Sequence, residues 1–165
     1  MKLCFLGNPD EQRAAFLLQL AGEFTIDVYG VDWNKYIRHS NITVYPPVYG
    51  DEFWQTLHKY RVQLNLMRQH NPDSHNMRSF EVPGAGAIGL FPYTPDHAQF
   101  FVEQKEVFLY KNMEECRRYA GLLLNMTQED ADRIRIAARK KSLEEGYAYS
   151  DRALQVLQEM KKLIV

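Results

Sequence analysis

Cysteine is scarce in this chain. Cys4 and Cys116 stand far apart without a CxxC spacing, which leaves no disulfide framework and fits two buried thiols in a reducing compartment. No apolar run approaches the ~20 residues of a membrane span. Met1-Lys2 leads straight into an apolar segment, with no room for a charged region, apolar core and cleavage site. The expectation is a cytoplasmic chain with no transmembrane segment. Neither sign of charge is in excess: 20 Lys and Arg face 21 Asp and Glu, so no global field recruits nucleic acid or an anionic membrane. Any anion site must be local. Linkers, repeats and low-complexity tracts are also missing, so residues 1–165 read as one continuous domain, helical at its carboxy-terminal end from about residue 113. No Ser-His-Asp, Cys-His or phosphate-loop lysine constellation is present, which leaves hydrolysis and kinase chemistry unsupported.

What is present is an ordinary globular composition, 45% hydrophobic and 25% charged, with a generous aromatic share of 13%. Apolar strand-like runs lie at 3–6, 25–29, 42–45, 62–66, 87–91 and 107–110, with helical patterns between most of them. That alternation predicts an α/β fold: a three-layer α/β/α Rossmann-like domain with a parallel sheet of about six strands. Asn8-Pro9-Asp10-Glu11 reads as a helix start with Asn8 as cap, the helix running to about Gly22. Asn112 with Glu115, and Thr127 with Asp130, open further helices near 113–125 and 128–145, and a last helix runs from about Ser150 to Leu163. In the second of these, acids come first and bases later, the order that complements a helix dipole on a solvated face.

In open parallel sheets ligands bind outside the carboxyl ends of the strands, where strand order reverses. With the order 3-2-1-4-5-6, that crevice lies between the first and fourth strands, lined by the Gly7-Asn8 turn, the loop 68–75 and the segment after Phe91. Gly7 allows close backbone approach, and Arg13 can reach back toward a diphosphate. Asp10 and Glu11 oppose an anion on the helix axis, which moves any phosphate aside toward Arg13 and Arg78. Arg78 and Glu81, three apart, share the early face of a short helix, where a guanidinium and a carboxylate can hold a phosphate and a sugar hydroxyl, or form a surface ion pair. Two further patterns carry little. Gly84-Ala85-Gly86-Ala87-Ile88-Gly89 matches GxGxxG but closes a helix instead of opening one. His70, Asp73 and His75 are close in sequence but lack a completed metal-ligand set.

Phe80-Glu81 followed by Pro83-Gly84-Ala85-Gly86-Ala87 and an apolar strand resembles the donor-binding motif of the group 1 glycosyltransferases, especially their spore-maturation-type branch. Phe5-Leu6-Gly7-Asn8 with Arg13 resembles the opening of that family's nucleotide-sugar half, and residues 106–110 with Tyr149 and Arg152 resemble its end. The resemblance implies one half of a GT-B fold that binds a nucleotide-diphosphate sugar as donor substrate, without a metal or other cofactor. Glu81 takes the place of the second glutamate of a paired motif, the one on the nucleotide ribose. Asp73 takes the place of the first, associated with the sugar and with catalysis, and is one methylene shorter. Val48 and Tyr49, with Tyr45, fall where the family places its nucleobase pocket, against an alternative of aromatic core packing. Sugar transfer then requires an acceptor-binding half, from a separate domain or subunit. The alternative is a non-catalytic interaction module that retains the fold and uses Trp33, Trp54 or the tyrosines near 45–49 for a partner.

Overall fold

The computed structural model describes residues 1–163. Six strands, β1 (Leu3–Leu6), β2 (Ile26–Tyr29), β3 (Ile42–Tyr45), β4 (Val62–Leu64), β5 (Ile88–Pro92) and β6 (Val107–Tyr110), form one sheet in the order β3-β2-β1-β4-β5-β6. Every pairing is parallel. Between and after them come α1 (Glu11–Leu20), α2 (Gly50–Lys59), α3 (Met77–Gly84), α4 (Pro95–Phe100), α5 (Met113–Asn125), α6 (Gln128–Glu144) and α7 (Tyr149–Lys162). The architecture is the parallel α/β fold that the alternation of apolar runs predicts, and the strand order reverses between β1 and β4.

Alternation along the strands sorts the core into two layers. Leu3 and Phe5 of β1 pack with Ala14, Leu17 and Leu20 of α1 and with Cys116, Ala120 and Leu123 of α5. Cys4 and Leu6 point the other way, onto Phe53 and Leu57 of α2 and Val82 of α3. Both cysteines are buried and free, and burial pushes the Cys116 thiol up to about 12. Residues with this little access and this little thiolate are inert packing groups.

Several helix boundaries follow from local chemistry. Asn112 accepts from the Glu115 amide at 2.9 Å and Thr127 from the Asp130 amide at 3.1 Å, the two caps anticipated from sequence. The start of α1 differs. Its cap is Asp10, whose Oδ1 accepts from the Arg13 amide at 2.9 Å, while the Asn8 side chain instead accepts from the Val31 amide at 3.4 Å. Asp10 is as good an acceptor as asparagine and stands at the right distance, so Asn8 and Pro9 remain in the turn after β1. Gly86, at φ +72, closes the end of α3 where it meets Arg139 of α6, as expected for a helix stop and close packing. Trp33 is fully buried, so it offers no surface to a partner; the interaction alternative loses that residue, while Trp54 and Tyr49 remain exposed. Among the described residues no helix is long and apolar enough to cross a membrane.

Candidate functional site

The sheet's switch point opens into a cleft of about 490 Å³ at the carboxyl ends of β1, β2 and β4. Its wall includes Gly7, Asn8 and Arg13 from the β1 exit and α1, Val48 and Tyr49 from the segment after β3, and Arg78 from α3. These six residues, dispersed between positions 7 and 78, are brought together by the strand order. Arg68 and His70 also line it, and no carboxylate is among the lining residues. In a chain of net charge −1 this is a local concentration of positive charge.

Arg13 is built into the cleft floor. Its guanidinium donates to the carbonyls of Asn8 at 3.1 Å and Leu66 at 2.6 Å, tying the β1 exit to the β4 exit. It stands 5.7 Å from the Phe5 ring centroid. Burial lowers its pKa, opposed by Asp10, whose carboxylate lies 3.5 Å from Nε, and reinforced by the charge of Arg68. Arg78 is fixed as firmly. Its Nε donates to the Leu6 carbonyl at 3.2 Å, its guanidinium carbon lies 4.3 Å from the Phe53 ring centroid, and Nη1 pairs with Glu81. The ion pair anticipated from the spacing is therefore formed, within a partly buried site and not on an open surface.

Glu81 stands behind Arg78 and outside the cleft wall, with one oxygen on the guanidinium. Asp73 is exposed on the turn at 72–73, likewise outside the wall. Gly7 approaches other backbone closely: its amide donates to Tyr29 at 2.9 Å and its carbonyl accepts from the Trp33 indole at 2.7 Å. That amide is committed to the fold. Donors that remain on the cleft wall are the Met77 and Arg78 amides at the start of α3, which helix geometry leaves without a carbonyl partner.

A buried polar network orients α3. Asn76 caps the helix through the Ser79 amide and donates from its own side chain to Asn65 Oδ1 at 2.8 Å. Asn65 Nδ2 and the Asn76 amide donate to Ser79 Oγ at 3.2 and 3.1 Å, and Ser79 Oγ lies 2.7 Å from His97 Nε2. His97 Nδ1 donates to the Pro92 carbonyl at 2.8 Å. At the outer edge, Asp96 accepts from Ser74 at 2.8 Å and pairs with His75 at 2.6 Å. Those bonds, His75 first, hold the Asp96 carboxyl below its usual range. His75 is thus engaged with α4, and among the described residues no three His, Cys, Asp or Glu converge on a metal position. Sequence reasoning missed Asn65, Ser79 and His97 as members of the site, whereas Arg68 belongs to the lining loop it anticipated; the Thr94-Pro95 helix start is the local signal that could have placed His97.

A family model described as glycosyl transferase-like matches residues 12–158. No curated protein sequence matches. Among solved structures, a glycosyltransferase from Rickettsia africae superposes with a TM-score of 0.79 at 8% identity, over 98% of this chain and 47% of that one. S. aureus TarM, solved with fondaparinux, alpha-GlcNAc-glycerol and UDP, gives 0.72 at 13% identity, over 98% and 35%. The C-terminal domain of a group 1 glycosyl transferase from Francisella tularensis gives 0.65 at 9% identity, over 87% and 84%. The chain thus spans about half the length of the Rickettsia enzyme and most of an isolated C-terminal domain. The family match covers nearly all of the chain, and the fold repeats that of GT-B glycosyltransferase domains: this chain belongs to the glycosyl transferase-like family.

Proposed function

We propose that the cleft binds the nucleoside diphosphate of a nucleotide sugar, and that the chain is the donor half of a glycosyltransferase. The observation that carries this reading is the cleft wall itself, with Arg13, Arg68 and Arg78 at the switch point and no carboxylate among its lining residues. Guanidinium groups match phosphate oxygens in charge and in fork geometry, and the first amides of α3 add donors aimed the same way. TarM, a structural relative, was solved with UDP bound. Phe80-Glu81 followed by Pro83-Gly84-Ala85-Gly86-Ala87 and the apolar strand β5 supports membership of the spore-maturation-type branch.

The diphosphate lies between Arg13 and Arg78, and the base lies against Val48 and Tyr49. Asn8 and Gly7 form the near rim. Glu81 holds Arg78 with one oxygen and accepts from the ribose with the other, since a carboxylate has lone pairs for both. The arginines and the α3 terminus supply the charge neutralisation that a divalent ion supplies elsewhere, so binding is metal-independent. Asp73 in place of glutamate, exposed on its turn, weakens sugar contact. Transfer requires an acceptor-binding half from a separate domain or subunit, and the chain alone binds a donor without turnover. Its setting is cytoplasmic.

Titration of Glu81→Gln with UDP, with and without chelator, tests the ribose assignment. The expected result is a weakened affinity that chelator does not alter; an affinity equal to that of the unaltered chain contradicts the role of Glu81, and a chelator-dependent loss contradicts metal independence. A second reading, a partner-binding module, has one observation in its favour. α7 has no buried residue, and Leu154, Leu157 and Met160 are exposed on it. A stable complex through α7 with no affinity for UDP, GDP or ADP would favour that reading.

A further inference from the structure

The three arginines of the cleft are not equivalent. Arg13 spends hydrogen bonds on the carbonyls of Asn8 and Leu66 and has the Asp10 carboxylate beside its Nε. Arg78 spends hydrogen bonds on the Leu6 carbonyl and on Glu81. Each is therefore one half of an ion pair, and its charge is largely cancelled at the distance of an approaching ligand. Arg68 is exposed, and its side chain makes no hydrogen bond or ion pair among the described residues. Its backbone is nonetheless held. The Arg68 carbonyl accepts from the Asn71 amide at 2.9 Å, Asn71 Nδ2 donates to the His75 carbonyl at 3.0 Å, and Ser74 and His75 are tied to Asp96. The guanidinium thus hangs from an anchored segment into the cleft, close enough to Arg13 for their like charges to repel. An anion bound at Arg13 within reach of Arg68 relieves that repulsion.

Resting on the donor-binding reading above, we propose that Arg68 is the diphosphate-capturing residue of this cleft: it supplies the uncompensated positive charge and the unspent guanidinium fork, while Arg13 and Arg78 shape the seat. Because the fork is idle without ligand, both its electrostatic pull and its hydrogen bonds are gained on binding. The ligand class this selects is a nucleoside diphosphate or its sugar ester over a nucleoside, since the gain falls on the phosphates.

The test is calorimetric titration of the unaltered chain, Arg68→Gln and Arg68→Lys with UDP and with uridine at two ionic strengths, with thermal unfolding as a control for the fold. The expected result is that Arg68→Gln binds UDP about tenfold or more weakly, the loss of charge-assisted hydrogen bonds, with an unchanged unfolding midpoint. Arg68→Lys recovers part of the affinity, and the salt dependence of UDP binding is smaller in Arg68→Gln. If the unaltered chain binds UDP and Arg68→Gln binds it equally well, the capture role is overturned while the donor-binding reading stands. If the unaltered chain binds no nucleoside diphosphate, both fall.

Discussion

Ser79 Oγ and His97 Nε2 lie 2.7 Å apart, and the groups around them fix which atom donates. His97 Nδ1 faces the Pro92 carbonyl, so it carries the ring proton, and Nε2 must accept from the Ser79 hydroxyl. Ser79 Oγ already accepts from Asn65 Nδ2 and the Asn76 amide, so it has no lone pair left for a second imidazole proton. Burial lowers the His97 pKa, against the opposing pull of the Pro92 carbonyl. The unfolded chain therefore takes up its proton first as pH falls through the ordinary value of 6.5. The stability His97 contributes is present above that pH and is lost below it. Denaturant unfolding across this range should show an acid-sensitive component in the unaltered chain that His97→Gln lacks, on a lower baseline.

The β1 and β2 exits cross closely enough to exclude any side chain at Gly30. A Cβ there would meet the Gly7 carbonyl at 2.3 Å and the Trp33 indole nitrogen at 2.7 Å, while a Cβ at Gly84 meets nothing within 4 Å. Gly30→Ala is expected to destabilise by at least about 2 kcal/mol, because rigid backbone must move. Gly84→Ala, near the end of α3, is expected to be neutral or to stabilise by up to about 1 kcal/mol. Chemical denaturation of the two variants checks both.

Arg13 and Arg68 separate by what each does to stability. Arg13 is 8% exposed and satisfies two backbone carbonyls from two separate nitrogens, so Arg13→Lys, whose donors all sit on one nitrogen, should cost about 1–3 kcal/mol as well as UDP affinity. Unfolding midpoints read alongside binding constants would show this double loss. A midpoint unchanged in Arg13→Lys would contradict the bridging role.

Asp10 holds two jobs that one substitution divides. Asp10→Asn keeps the side-chain oxygen that caps α1 at the Arg13 amide and removes the carboxylate beside the Arg13 guanidinium. Stability should change little and UDP affinity should rise, since the charge of Arg13 is no longer offset. Titration against the unaltered chain measures the change, and a fall in affinity would contradict it.

Much of this was legible from sequence because parallel strands buried on both faces are apolar runs, and those runs stand close to where they were expected. The caps Asn112 and Thr127 were legible too, since each is a contact within one turn. The cap of α1 was misplaced by two residues because Asn8 and Asp10 carry equivalent acceptors, and the choice depends on Val31, across the switch-point turn. Six of the expected site residues share one cleft because the strand order places them there. The Asn65–Ser79–His97 network was not legible, because its members come together through the pairing of β4 with β5 and not through spacing. The Gly7–Gly30 crossing likewise depends on the register of β1 against β2. Arg68 was visible as part of a lining loop, but its importance lies in having no carboxylate partner, which sequence does not record.

The most direct measurement of the central claim is calorimetric titration of the unaltered chain with UDP, GDP and ADP beside the parent nucleosides. The account predicts saturable binding of at least one diphosphate, much weaker binding of its nucleoside, and a further loss in Arg78→Met. Equal affinity for a nucleoside and its diphosphate, or no binding of any of the three diphosphates, would contradict it.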